Sequence, residues 1–146
     1  MEENYIWNLL KGDWKFIREI TNYEKIYGKA SFKEISLNQL LYKEEGKWFN
    51  EGKELNFMRE YIYENKVNEI LSYFVVTNFE KGKLFHKICL KQNNSILIAE
   101  DIHLCIRDLY KVYYEFYREN KNKFTITYDV KGPYKNFISK TTYERN

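Results

Sequence analysis

Gly12-Asp-Trp-Lys-Phe-Ile-Arg-Glu-Ile20 is the stretch that decides the fold, because aromatic and apolar side chains recur at every second position along it. Successive side chains of a strand point to opposite faces, so Trp14, Phe16 and Arg18 would share one face. Arg18 is the only charged member of that face. The pattern predicts a strand with one face suited to a core.

The residues before this strand follow a different period. Ile6, Leu9 and Leu10 are spaced as i, i+3 and i+4, which predicts one or two helical turns with an apolar face over residues 5–10. Such a short helix could close one end of a larger structure.

The two-residue period continues along the rest of the chain, with short polar breaks such as Asn93-Asn94 and Gly132-Pro133. This pattern is typical of an antiparallel meander, whereas helices would separate the strands of a parallel sheet. We predict about ten strands, with further strands after the first at 26–35, 40–49, 55–63, 67–77, 84–90, 95–106, 110–116, 124–130 and 137–145.

A meander leaves unpaired backbone groups at its two edges, and closing it into a barrel removes both. We therefore predict an all-β fold, an antiparallel meander closed into a barrel after a short N-terminal helix. The last strand, near Tyr143, should then pair with the first, near Phe16. A two-sheet sandwich is the alternative, because it also produces many short alternating strands.

Length and charge restrict the class of protein. A chain of 146 residues fits one domain, here 1–146. The net charge of +3 comes from interspersed Lys and Glu, which argues against nucleic acid. No segment approaches the roughly 18 apolar residues of a membrane span, and no signal peptide begins the chain, so a cytoplasmic protein is expected. Cys89 and Cys105 should be free thiols there.

The stretch richest in reactive groups is His103-Leu-Cys-Ile-Arg-Asp-Leu-Tyr110, which holds one of two histidines and one of two cysteines. The other histidine, His86, would share a strand face with Leu84 and Ile88, with Phe85 on the opposite face. A buried imidazole needs a hydrogen-bond partner. We therefore expect one polar cluster, made of His86, His103, Cys105 and Asp108.

Several roles are open to this cluster. It could be a satisfied polar core in which Tyr or Asp binds each histidine, or it could hold a polar group of a ligand. Imidazole and thiolate are also zinc or iron ligands, one histidine could be an axial haem ligand, and Cys105 could be a nucleophile with a histidine as base. His-x-Cys is no standard metal pair, so we expect no metal or cofactor and a chain that folds without metal.

Charged residues also occur on aromatic strand faces. Arg18, Arg59 and Glu44 alternate with aromatic side chains, so they would form an ion-pair network inside the barrel or bind a carboxylate or phosphate. Lys135 follows the Gly-Pro turn and would close a barrel end or contact a ligand.

Short motifs occur in a fixed order along the chain: Gly12-x-Trp14-x-x-x-Arg18, Phe85-His86, His103-x-Cys105-x-x-Asp108-x-Tyr110, Gly132-Pro133-x-Lys135 and Tyr143-x-Arg145. Together they resemble a bacterial domain family of unknown function with a calycin, or lipocalin-like, barrel. The resemblance covers residues 12–145 and departs from the pattern at Asn136 and Phe137, where a second aromatic or charged residue is usual. It implies no activity. It does imply that Arg145 stacks on the Trp14 indole, by cation–π attraction.

The leading functional hypothesis is a barrel that binds a small apolar or amphipathic molecule, because aromatic walls with a few polar groups are typical of such pockets. Its ligand-binding residues would be His86, His103, Cys105, Asp108, Tyr110, Arg59, Arg18 and Lys135. The alternatives are an isomerase, lyase or hydrolase that uses His86 and His103 for proton transfer, a metal- or haem-binding barrel, and a structural module. The sequence does not indicate an oligomeric state.

Overall fold

The computed structural model describes residues 2–23, 25–76 and 80–146. One helix precedes eleven strands in this part of the chain. The elements are α1 (Glu2–Leu10), β1 (Gly12–Ile20), β2 (Ile26–Ser36), β3 (Gln39–Asn50), β4 (Lys53–Lys66), β5 (Glu69–Val76), β6 (Glu80–Ile88), β7 (Lys91–Asn93), β8 (Ile96–Cys105), β9 (Asp108–Tyr117), β10 (Asn120–Lys131) and β11 (Asn136–Arg145).

All strands belong to one antiparallel sheet, in the order β6-β5-β4-β3-β2-β1-β11-β10-β9-β8-β7. The predicted pairing of the first and last strands is confirmed, with Phe16 opposite Tyr143. This pairing lies in the middle of the sheet. The two edges of the meander are therefore internal strands of the chain rather than its termini.

The sheet curls until its two halves face each other. The hydroxyls of Tyr63 in β4 and Tyr114 in β9 lie 3.1 Å apart, although five strands separate β4 from β9 in the sheet. Strands β6 and β8 approach each other where the two ends of the curled sheet meet, and we call this region the seam. There the Asp101 carboxylate accepts a hydrogen bond from the Lys87 amide. No ladder joins β6 to β8 within the described ranges. The all-β barrel is confirmed, and the sandwich is excluded by the single sheet.

The strand count differs from the prediction at one place, and the start of one strand differs at another. β7 (Lys91–Asn93) is a three-residue strand that pairs with the start of β8, and a segment so short carries too little alternation to be detected. Strand β6 begins at Glu80 and so includes the predicted break at Gly82. Next to this glycine, Lys81 of β6 pairs with Val75 of β5. The predicted strand over 67–77 corresponds to β5 (Glu69–Val76). Its last predicted residue, Thr77, lies outside the described residues.

Helix α1 closes one end of the barrel, and Trp14 and Arg145 fix it there. The Trp14 indole nitrogen donates to the Leu10 carbonyl at 2.9 Å, and Arg145 donates to the carbonyls of Leu9 and Lys11 at 2.7 and 2.9 Å. These are carbonyls that a helix end leaves without intrahelical partners. The Arg145 guanidinium lies 3.8 Å from the centre of the Trp14 ring. The stacking implied by the family resemblance is therefore confirmed.

The opposite end of the barrel, here called the loop end, holds the residues that the sequence singled out. Because the strands alternate in direction, β1, β3, β5, β8 and β10 all finish there, and β9 and β11 begin there. His103, Cys105, Asp108 and Lys135 lie close to these strand ends. None of the described helices is long and apolar enough to cross a lipid bilayer.

Candidate functional site

A β-bulge places Phe85 and His86 side by side in the barrel interior. Ser72 of β5 pairs with His86, whereas the next residue, Tyr73, pairs with Leu84, so Phe85 is the extra residue of β6. A bulge of this kind breaks the strict alternation of faces. Phe85 and His86 are 8% and 1% exposed. The prediction that Phe85 lies on the face opposite His86 is therefore wrong.

The Phe85 ring is the centre of an aromatic group that we call the Phe85 cluster. Its ring is nearly parallel to four neighbouring rings and nearly perpendicular to two. The parallel rings are His86, Phe74, Tyr61 and Tyr128, with centroids 3.6, 4.4, 5.6 and 6.0 Å from that of Phe85, and the perpendicular rings are His103 at 5.2 Å and Tyr110 at 6.4 Å. Phe85 therefore lies in a group of closely packed rings, four of them nearly parallel to its own.

His86 is a buried polar residue of this cluster. Its Nδ1 lies 3.3 Å from the Tyr114 hydroxyl, which lies next to that of Tyr63. Its Nε2 is buried and has no hydrogen-bond partner among the described residues. Burial, with a smaller contribution from the charge of His103, lowers the pKa of His86 to about 3. His86 is therefore a neutral imidazole at physiological pH, with one nitrogen unused.

This pKa predicts how stability depends on pH. An unfolded histidine titrates near 6.5, so the unfolded chain binds more protons than the folded one between about pH 3 and 6.5. The stability that neutral His86 contributes is complete above pH 6.5 and decreases at about 1.4 kcal/mol per pH unit as the pH falls through this window. Urea unfolding of the wild type and His86→Phe at pH 7, 6 and 5 would measure it. An equal pH slope in both proteins would contradict the assignment.

A second polar network lies between β1 and β3. Arg18 donates to both carboxylate oxygens of Glu44, at 2.7 and 2.8 Å, and to the Thr141 hydroxyl at 2.7 Å. The Tyr42 hydroxyl donates to the same carboxylate and lies 2.7 Å from that of Tyr143. Burial alone would raise the pKa of Glu44. The hydrogen bond and the charge of Arg18 outweigh this effect and hold the pKa below its usual value. Arg18 and Glu44 are thus a buried, mutually satisfied ion pair.

The predicted residues at the loop end form a smaller group. Lys135 Nζ lies 3.3 Å from the Tyr110 hydroxyl and 3.6 Å from an Asp108 carboxylate oxygen. Asp108 packs over Gly132, where any Cβ would clash with its carboxylate. This close approach explains the glycine of the Gly-Pro turn. Cys105 pairs with Asp108 across the β8–β9 turn and is exposed.

The structure thus brings together only part of the predicted set. His86, His103 and Tyr110 share the Phe85 cluster, and Asp108 and Lys135 reach it through Tyr110. Arg18 belongs to the Glu44 network, and Cys105 is exposed at the rim. No group of three or more His, Cys, Asp and Glu side chains in 2–23, 25–76 and 80–146 is placed to hold a metal ion. The four-ligand set of the metal hypothesis is therefore not assembled.

Several cluster members had no place among the predicted site residues. Tyr61 and Tyr128 lie on inward strand faces that the alternation indicates, but so do many core aromatics. Tyr114 supplies the hydrogen-bond partner of His86, and nothing in the sequence distinguishes it from the other tyrosines. Phe74 lies within the register shift between Tyr73 and Val75 in the β5–β6 pair, so its neighbours could not be deduced.

Comparison with solved structures supports the fold. "Structure of EF1p2_mFAP2b bound to DFHBI" matches with a TM-score of 0.53 and 10% identity, covering 96% of this chain and 96% of that chain. "Structure of a redesigned beta barrel, b11L5F_LGL" matches with a TM-score of 0.46 and 11% identity, covering 95% and 93%. At such low identity, the first match supports the barrel fold and nothing more.

Comparison of the sequence identifies a family. No functionally curated protein matches the chain. A family model described as "Family of unknown function (DUF6314)" matches residues 10–145, which is nearly the whole chain. The expectation of a family without a known activity is confirmed, and the chain belongs to the DUF6314 family of unknown function.

Proposed function

We propose that this protein binds a small molecule that carries a flat aromatic ring and a hydroxyl or similar polar group, in the Phe85 cluster. One observation carries the proposal: His86 is 1% exposed, yet its Nε2 has no hydrogen-bond partner in the described chain. A buried polar atom without a partner costs about 1–3 kcal/mol. A ligand hydroxyl, which can donate or accept, would satisfy this nitrogen in either tautomer.

The surrounding rings support the aromatic character of the ligand. Tyr128 and Phe85 are within 13° of parallel, and Phe85 is stacked on His86. Offset-stacked rings attract each other beyond the gain from burial alone. Phe85 is a bulge residue on β6, an edge strand, and has no cross-strand partner in the β5–β6 ladder. The ligand ring would displace Phe85 and take over its stacking contacts.

The alternatives have less support. An enzyme that uses His86 as a general acid would need an imidazolium, and the pKa of about 3 leaves almost none at neutral pH. "Structure of EF1p2_mFAP2b bound to DFHBI" shows that one barrel of similar fold binds a small molecule, which makes binding the simpler use of this interior.

The test is a matched pair of probes, 2-naphthol and naphthalene, titrated against the purified protein by fluorescence. We expect 2-naphthol to bind about tenfold more tightly, because only its hydroxyl can pair with His86 Nε2. His86→Phe should remove this preference while its binding of naphthalene persists. Phe85→Ala should bind both probes at least as well as the wild type.

Independent evidence would come from native mass spectrometry of protein purified without denaturation, where a co-purified aromatic compound is expected. An absorbance scan of the same sample would reveal a Soret band if the barrel held haem instead. No co-purified compound, together with no binding of either naphthalene, would mean that the cluster is a satisfied core and the proposal is wrong.

A further inference from the structure

We infer that the ligand is an aromatic anion, and that Arg59 binds its carboxylate. This inference rests on the proposed function, because it assigns the chemical class of the molecule that the Phe85 cluster would bind.

Arg59 lies on the strand face that leads to the cluster. Phe57, Arg59 and Tyr61 alternate along β4, and Tyr61 belongs to the Phe85 cluster. The Phe57 ring has two guanidinium groups as neighbours, that of Arg18 at 5.9 Å and that of Arg59 at 6.0 Å from its centroid. Burial raises the pKa of Tyr61, and the charge and hydrogen bond of Arg59 oppose that rise. Arg59 is thus an exposed residue next to Tyr61, a member of the cluster.

Arg59 makes a small contribution to lowering the pKa of Glu44, but it forms no close ion pair with that carboxylate. Its cross-strand partner is Glu44, but both oxygens of that carboxylate already accept hydrogen bonds from Arg18. Arg59 forms no ion pair within 4 Å among the described residues.

Two other carboxylates, one at the seam and one at the loop end, have partners of their own. Asp101 accepts the Lys87 amide across the seam, and Asp108 pairs with Lys135. Arg59 is therefore an exposed cation beside the cluster that has no ion-pair partner within 4 Å among the described side chains. A guanidinium offers parallel N–H donors that match the two oxygens of a carboxylate. A ring seated on His86 with a carboxylate directed towards Arg59 would satisfy His86 Nε2 and give the guanidinium an ion-pair partner.

The experiment compares 6-hydroxy-2-naphthoate with its neutral primary amide, 6-hydroxy-2-naphthamide. The two probes share the ring and the hydroxyl and differ in charge. We expect the naphthoate to bind at least tenfold more tightly to the wild type, because hydrogen bonds between charged groups are about twice as strong as neutral ones. Arg59→Gln should abolish this preference, and Arg59→Lys should retain part of it. Lys131→Gln, which removes a charge from the same end at the last residue of β10, should leave it unchanged.

The outcomes separate the two proposals. If both probes bind equally and Arg59→Gln changes neither affinity, the anion inference is wrong and the binding function stands. If Lys131→Gln reduces the preference as much as Arg59→Gln, general electrostatics explain it and the inference is also wrong. If neither probe binds the wild type, both proposals fall. Arg59 is exposed, so thermal unfolding of Arg59→Gln should match that of the wild type.

Discussion

Replacing Trp14 with alanine should lower the free energy of unfolding by about 3–5 kcal/mol, as expected for a large aromatic truncated in a core. The Trp14 side chain is fully buried, and its ring contacts the edge of Phe124 at a centroid distance of 4.8 Å. The change also removes the hydrogen bond to Leu10 and the surface on which Arg145 stacks. Urea unfolding followed by far-ultraviolet circular dichroism would measure the loss.

Trp48→Ala is the matched control for this prediction. Trp48 is only half-buried and makes a peripheral edge contact with Tyr23, at 5.9 Å between centroids. We expect its loss to be smaller, about 1 kcal/mol. A loss of less than about 1 kcal/mol for Trp14→Ala, or one no larger than that of Trp48→Ala, would show that Trp14 is peripheral to stability.

The fold could be predicted because one physical pattern repeats in almost every strand. Side chains at positions such as Trp14, Phe16 and Tyr143 must leave water together, and the two-residue period alone assigns them to one face. The pairing of β1 with β11 followed from the need to remove exposed edges. The position of the seam did not follow, because the approach of β6 to β8 depends on the curvature of the whole sheet.

The site was harder to predict than the fold. The positions of His86 and His103 were indicated by their strand faces, but the role of Phe85 was not. In a bulge, one strand of a pair has an extra residue relative to the other. The bulge at Phe85 therefore depends on how β5 and β6 pair, and the sequence of either strand alone does not reveal it. The same limit applies to Arg59, which forms no close ion pair with its cross-strand partner Glu44 because Arg18, on another strand, holds both oxygens of that carboxylate.

The last prediction concerns the Arg18–Glu44 pair. Glu44→Leu should lower the free energy of unfolding by about 3–5 kcal/mol, because it leaves the buried guanidinium of Arg18 without its charge partner. Arg18→Met should have a similar effect, since the carboxylate is then the buried charge. The double variant Arg18→Met/Glu44→Leu should recover most of this stability, because it removes both desolvated charges and keeps apolar bulk. Urea unfolding of the four proteins at pH 7 forms a double-mutant cycle.

Acidification gives the cycle an independent readout. The pKa of Glu44 is lower in the folded protein than its usual value, so its contribution is present above that usual value and is lost as the pH falls through the lower, folded pKa. The double variant should lack this acid-sensitive component and still show the one from His86. It should also retain the preference for 6-hydroxy-2-naphthoate, because both charges of the pair satisfy each other and Arg59 remains. Additive losses in the double variant would show that Arg18 and Glu44 do not stabilise each other. Loss of the naphthoate preference would instead make Arg18 part of the ligand site.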